Sequence, residues 1–142
     1  MIQPIYINAF GSISALGHEP EAILRNYKEG TTHFSELKIG DSSVAAASLR
    51  DHSALVLEKL SQENDKYNDL DTSVLMAMYS ARQVISSLEF DPTSTGINIG
   101  SSRGATALFE KYHKDFLEGK PLSPLTSPTT TLGNISSWVA QD

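Results

Sequence analysis

The chain has 142 residues, 39% apolar and 20% charged, with 11 basic and 17 acidic side chains and a net charge of −6. That is a globular composition, long enough for one domain with its own core, and the acidic balance argues against a nucleic-acid partner, which needs a basic face. Cysteine is absent, which excludes disulfides, thiolate chemistry and a zinc–cysteine site within these residues.

Ile5-Tyr6-Ile7 reads as a first strand running into the small, turn-prone stretch Ala9 to Gly17. Pro20 suits a first helical turn, Ile23, Leu24 and Tyr27 form one apolar face, and Gly30 ends that helix. Thr31 to Asp41 reads as a loop or irregular edge. Val44 to Leu49 is weighed between strand and short helix, and its valine and flanking serines favour a strand. Ala54 to Leu60 is a short helix and Ser61 to Asn68 an exposed polar loop. Asp69 to Leu88 is the longest periodic segment. Asp71 or Thr72 can cap it, and Val74, Leu75, Met78, Ala81, Ile85 and Leu88 share a face, so it is expected at the centre of the core.

Asp91-Pro92 and Ser94 to Gly96 turn the chain into Ile97 and Ile99, read as a buried strand. Gly100 and Gly104 bracket a tight turn. From Ala105 the apolar period becomes helical through Leu108, Phe109, Tyr112 and Phe116, until Gly119 and Pro121 stop it. This strand, glycine turn and helix make half of a βαβ unit. Pro121 to Thr131, rich in proline and hydroxyl side chains, is read as a non-helical connection. A last helix is expected from Thr131–Asn134 onward, carrying Ile135, Trp138 and Val139 inward. It reaches Asp142 still on pattern, with a carboxylate at the unfavourable end of the macrodipole, so the chain is expected to be a cut piece of a longer one. No apolar run approaches a membrane span, and the N-terminus lacks the features of a signal peptide. A cytoplasmic protein without a membrane partner is expected.

Individual residues offer little assembled chemistry. The Gly100–Gly104 turn before a helix resembles a phosphate cradle, yet it matches neither G-x-G-x-x-G nor a Walker motif, so a packing turn is the leading reading. Arg103 within it is ordinary on a surface, but in a cleft it needs an acceptor. His18, His33, His52 and His113 are scattered with no i, i+4 pair, so no metal helix is visible and each is expected at the surface. Ser12 and Ser14 lack an evident base, and the segment is not the G-x-S-x-G elbow. Asn134-Ile-Ser136 matches a glycosylation acceptor by chance. Glu110 and Lys114 form a helical i, i+4 ion pair.

The order of motifs goes further. Ile5 to Gly17 with its Gly-x-x-Ser-x-x-Gly turn, Glu21 to Gly30, the alanine-containing helix Asp71 to Ile85, and Gly96 to Asn134 together resemble the N-terminal part of the β-ketoacyl synthases. These are the condensing enzymes of fatty-acid and polyketide synthesis. The resemblance spans nearly the whole chain and lies in order and spacing rather than in one motif. It implies an α/β fold, the front portion of a thiolase-like α-β-α layered architecture, with 1–142 ending before the nucleophile.

By the same resemblance, the activity is decarboxylative Claisen condensation of an acyl thioester with malonyl-acyl carrier protein. The nucleophilic cysteine and two histidines belong beyond Asp142, so no catalytic residue is expected here and the chain alone is expected to be inactive. It implies no cofactor and no metal. The implied partners are acyl carrier protein and either a second copy of the chain or a ketosynthase subunit in a heterodimer. An alternative is a chain-length-factor-like subunit that lacks the cysteine and shapes its partner's pocket.

Two departures bear on substrate. Ser102 and Arg103 stand where the family usually has glycine and an apolar residue bordering the acyl pocket. Leu125-Thr126-Ser127-Pro128 replaces a more aromatic stretch that reaches the pocket across the dimer interface. Arg103, Thr126 and Ser127 are therefore the candidate acyl-pocket or dimer-interface residues; Arg103 would shorten the pocket, demand a polar partner or turn away, and a narrower or more polar pocket, or a member specialised for unusual chains, is implied. Trp138 and Val139 are expected to lack their cover in the isolated chain.

Overall fold

A computed structural model describes residues 4–142. Among these residues, six α-helices and one hairpin follow in the order α1 (Pro20–Glu29), β1 (Ser35–Ile39), β2 (Ser42–Ala46), α2 (Asp51–Gln62), a 3₁₀ turn (Asp65–Tyr67), α3 (Thr72–Ile85), α4 (Thr106–Leu117), α5 (Thr126–Thr130) and α6 (Asn134–Gln141). The chain is mixed α/β, and among the described residues its sheet is a two-stranded antiparallel one.

Helix α3 organises the core. Its N-cap Asp71 accepts from the Ser73 backbone N–H at 2.9 Å, satisfying a donor that a helix start otherwise leaves orphaned. Val74, Leu75 and Met78 are buried on it. Leu57 and Leu60 of α2, Leu70, Ile135 of α6 and Ile13 from the N-terminal segment close around them. Burying each such aliphatic side chain is worth about 1.5–3 kcal/mol, so this cluster is the main source of cohesion. The central position read from the 3.6-residue period is taken by the first part of the stripe, Val74, Leu75 and Met78; the helix stops at Ile85, which is exposed, short of Leu88.

The other helices follow their local signals. Pro20 opens α1, and Gly30 ends it at φ 63° with its N–H turned back to Asn26 and Tyr27. Helix α4 ends at Gly119, φ 68°. Helix α2 begins three residues earlier than the apolar pattern suggested and runs to Gln62. The segment expected as a polar loop after it contains the 3₁₀ turn, whose Tyr67 lies edge-on to Trp138 with ring centroids 6.0 Å apart.

Several expectations are corrected. Ile5–Ile7 forms no strand. Ile5 is 97% and Ile7 89% exposed, and no neighbouring strand pairs with their backbone. Ile97–Ile99 is likewise unpaired, so the half βαβ unit keeps its glycine turn and helix but not its strand. A strand exists only where a second one takes its alternate N–H and C=O groups, and no described segment does so here.

Thr31 to Asp41, read as a loop or irregular edge, contains β1. It pairs with β2 in the register Ser35↔Ala46, Leu37↔Val44 and Ile39↔Ser42, around a two-residue turn in which Gly40 takes φ 59°. Val44 to Leu49 is a strand as favoured, but only to Ala46. The Pro121–Thr131 connection holds the short helix α5. Pro128 sits in its first turn, where the missing N–H has no intrahelical partner to lose.

Trp138 and Val139 pack against the core beside α3 rather than standing uncovered. Exposed apolar side chains lie elsewhere, among them Ile5, Tyr6, Ile7, Phe10, Tyr27, Phe34, Phe109, Phe116, Leu117 and Leu132. Lys114 reaches Glu118 at 3.9 Å, so the helical ion pair runs forward from Lys114 rather than back to Glu110.

Candidate functional site

The glycine turn before α4 is built around Asp71. One carboxylate oxygen caps α3, and the other accepts from the Leu108 backbone N–H at 3.2 Å, so a single buried side chain caps two helices 37 positions apart in sequence. Ser101 Oγ accepts from the Gly104 N–H at 2.9 Å and closes the turn. Gly104 takes φ 67°, and a Cβ there would stand 3.7 Å from Leu132. The start of α4 is thus already neutralised by a carboxylate. A phosphate there would meet like charge, so the turn is a packing device rather than a phosphate cradle.

Arg103 projects from this turn as an exposed residue. Thr126 opens α5 half-buried, with its Oγ1 enclosed and lacking a hydrogen-bond partner, while Ser127 beside it is exposed. Helices α4 and α5 pack against each other, which brings this stretch of α5 toward the turn's own helix. The Asn134 amide donates to the Thr129 carbonyl and ties α5 to α6. That buried side chain is therefore no glycosylation acceptor as folded. Two open grooves lie on α2, one with α3 along Leu60, Tyr79 and Arg82, the other along Leu49, Leu57 and Leu75. Arg103, Thr126 and Ser127 line neither.

The N-terminal segment is clamped to α3 by one glutamine. Gln83 Oε1 accepts from the Ser12 N–H at 2.9 Å, and Gln83 Nε2 donates to the His18 carbonyl at 2.6 Å. Between them, Ser14 and Gly17 exchange backbone hydrogen bonds, and Gly17 takes φ 122°. Ser14 Oγ accepts from the Leu16 N–H at 3.1 Å, a local turn bond and not the setting of a nucleophile.

This clamp creates a cluster that linear spacing did not reveal. His18, expected at the surface, is 7% exposed, with Nδ1 3.2 Å from Ser53 Oγ and its ring edge-on to Tyr79. The His52 ring lies 5.1 Å from it, centroid to centroid. Ligand atoms of His18, Glu19 and His52 all fall within 4.8 Å of one another. The missed signal is the placement of His18 just before α1 and of His52 in the first turn of α2. Each is ordinary alone, and they meet only because the helix starts converge.

A four-residue polar network closes the far end of α3. Arg82 donates through Nε and Nη2 to Asp142 at 2.7 Å each and through Nη1 to Glu63 at 2.6 Å, and Tyr67 OH donates to Asp142 at 2.9 Å. The guanidinium holds the Asp142 carboxyl below the usual carboxylate range against the opposing effect of burial. Burial, followed by the hydrogen bond to Asp142, pushes the Tyr67 hydroxyl up. The carboxylate that looked misplaced at a helix C-terminus is thus matched by a fork of donors. No protein-family model matches the chain, and no curated protein matches it.

Proposed function

We propose that the chain is the N-terminal part of a β-ketoacyl-acyl-carrier-protein synthase with a thiolase-like fold, acting in the cytoplasm as a homodimer or as a heterodimer with a ketosynthase subunit. The observation that carries this reading is the ordered run of motifs: the Gly11-x-x-Ser14-x-x-Gly17 turn, the Asp71-capped helix, the Gly100–Gly104 turn with its helix, and Asn134 at the head of α6. Two features of the fold support it. The apolar segments Ile5–Ile7 and Ile97–Ile99 are unpaired, as suits strands that find their partners in the rest of an enzyme. The exposed apolar side chains at Phe10, Phe109, Phe116 and Leu132 suit a face that a further layer covers.

In this reading the acyl chain is held as a thioester on a cysteine outside these residues. Loss of carbon dioxide from malonyl-acyl carrier protein leaves a carbanion that attacks the thioester carbonyl and expels the cysteine thiolate. Residues 1–142 supply pocket wall and dimer surface. Arg103, Thr126 and Ser127 border the acyl chain or the partner subunit, and a charged Arg103 shortens the apolar pocket.

The test is to read the coding sequence past Asp142 and assay the encoded polypeptides with acyl- and malonyl-acyl carrier protein. The chain alone is expected to release no 3-oxoacyl product, and the chain completed by a cysteine-bearing remainder is expected to do so. Glutamine or another residue at the cysteine position makes this a partner subunit. A completed polypeptide, alone or with its co-expressed partner, that neither condenses nor supports condensation overturns the proposal.

A further inference from the structure

We propose that His18, His52 and Glu19 form a binding site for a divalent transition-metal ion of the zinc class, strapping the N-terminal segment to the start of α2. One ligand atom from each of the three lies within 4.8 Å of the others. Ligands around a tetrahedral zinc stand about 3.3 Å apart, given metal–nitrogen bonds near 2.0–2.1 Å. The closure required is small, and it falls on His52 and Glu19, which are exposed and free to turn.

His18 is the fixed ligand. It is enclosed, its carbonyl is held by Gln83, and its Nδ1 faces the Ser53 hydroxyl. When Nδ1–H donates to Ser53 Oγ, the ring's lone pair is at Nε2. This is the neutral tautomer a metal requires, with the outer hydrogen bond that commonly orients a ligating imidazole.

Two imidazoles and one carboxylate select zinc and its neighbours over magnesium or calcium, which favour all-oxygen shells. The positive ends of α1 and α2 meet here and oppose a cation. The Glu19 carboxylate is the group that offsets them, so it contributes charge as well as a ligand. With three protein ligands, two of them exposed, the fourth position is open to water. Because His18 precedes α1 and His52 lies in α2, a bound ion cross-links two segments that otherwise meet through side-chain packing and the His18–Ser53 contact.

The test titrates the tag-free full chain with Zn²⁺ by calorimetry, with Mg²⁺ as the contrast, and follows the thermal midpoint. One Zn²⁺ per chain is expected, with a rise in the midpoint that Mg²⁺ does not reproduce. Because His18 is inside the fold, the variants are His52→Ala and Glu19→Gln, whose side chains are exposed. Each is expected to keep the wild-type far-ultraviolet circular dichroism spectrum. His52→Ala is expected to weaken Zn²⁺ binding at least tenfold and abolish the rise, and Glu19→Gln to weaken it less. Failure of the wild-type chain to bind Zn²⁺ at one per chain overturns the proposal. So does equal binding by both variants, which would place the ion on other histidines.

Discussion

At the residue scale, Gly11 shows how a turn motif acquires a packing reason. Its α-carbon passes so close to α3 that an added Cβ would sit 2.5 Å from the Ser80 carbonyl oxygen and 2.9 Å from the Gln83 side chain. The neighbour at the closest point is backbone, which cannot turn aside. Gly11→Ala is therefore expected to destabilise the chain by about 1–3 kcal/mol, the usual cost of forcing extra volume into a packed contact. The measurement is a shift of the urea midpoint at unchanged slope. An unchanged midpoint would mean that the segment does not lie against α3. The glycine and serine spacing marked Ala9–Gly17 as a turn, but nothing local to it named Ser80 or Gln83. The same limit applies to His18, whose burial follows from the Gln83 clamp rather than from its neighbours in sequence.

At the element scale, the longer helices were legible, whereas of the strands only the second one of the hairpin was, in Val44 to Ala46. Helices α1, α3 and α4 carry their starts and stops within the segment, in Pro20 and Gly30, Asp71, and Gly119, because helical hydrogen bonds close within four residues. The first strand and its pairing were missed although their signals were present: Leu37-Lys38-Ile39 alternates, Gly40-Asp41 turns, and Val44 resumes. The hydroxyl-rich surroundings and exposed faces masked that period.

Asp71 links the two kinds of knowledge. Its role as cap of α3 is local, whereas its bond to Leu108 is a meeting of two helix starts. Asp71→Asn keeps an acceptor for one helix but turns an amide donor toward the other. The expected loss is about 1–2 kcal/mol, from one orphaned N–H and a weakened cap. Chemical denaturation followed by circular dichroism measures it, and a wild-type midpoint would contradict the shared-cap geometry.

At the scale of the whole molecule, the Arg82 guanidinium and the two carboxylates it binds, Glu63 and Asp142, join the ends of α2 and α6, the 3₁₀ turn and α3. Asp142 is depressed by its partners, so its contribution to stability is complete above the unfolded carboxylate range, near pH 4. It is lost as pH falls through the lower folded value. Arg82 is 38% exposed, which limits the contribution to about 1 kcal/mol or less through solvent screening. Asp142→Asn is expected to lower stability at pH 7 and to shrink the loss between pH 7 and pH 3. Urea midpoints of both proteins at the two pH values check this, and an identical loss in the variant would remove Asp142 from the acid response.

Composition, periodicity and the glycine and proline positions were enough to give a single acidic α/β chain, the centrality of α3, and the inward face of α6. Each of these rests on forces that act within a turn or two of helix. The short helix α5, the double cap at Asp71, the carboxylate network at Asp142 and the His18–Glu19–His52 cluster emerged from packing alone. Apart from α5, they join residues tens of positions apart, and their geometry depends on where α3 lets the other segments close around it.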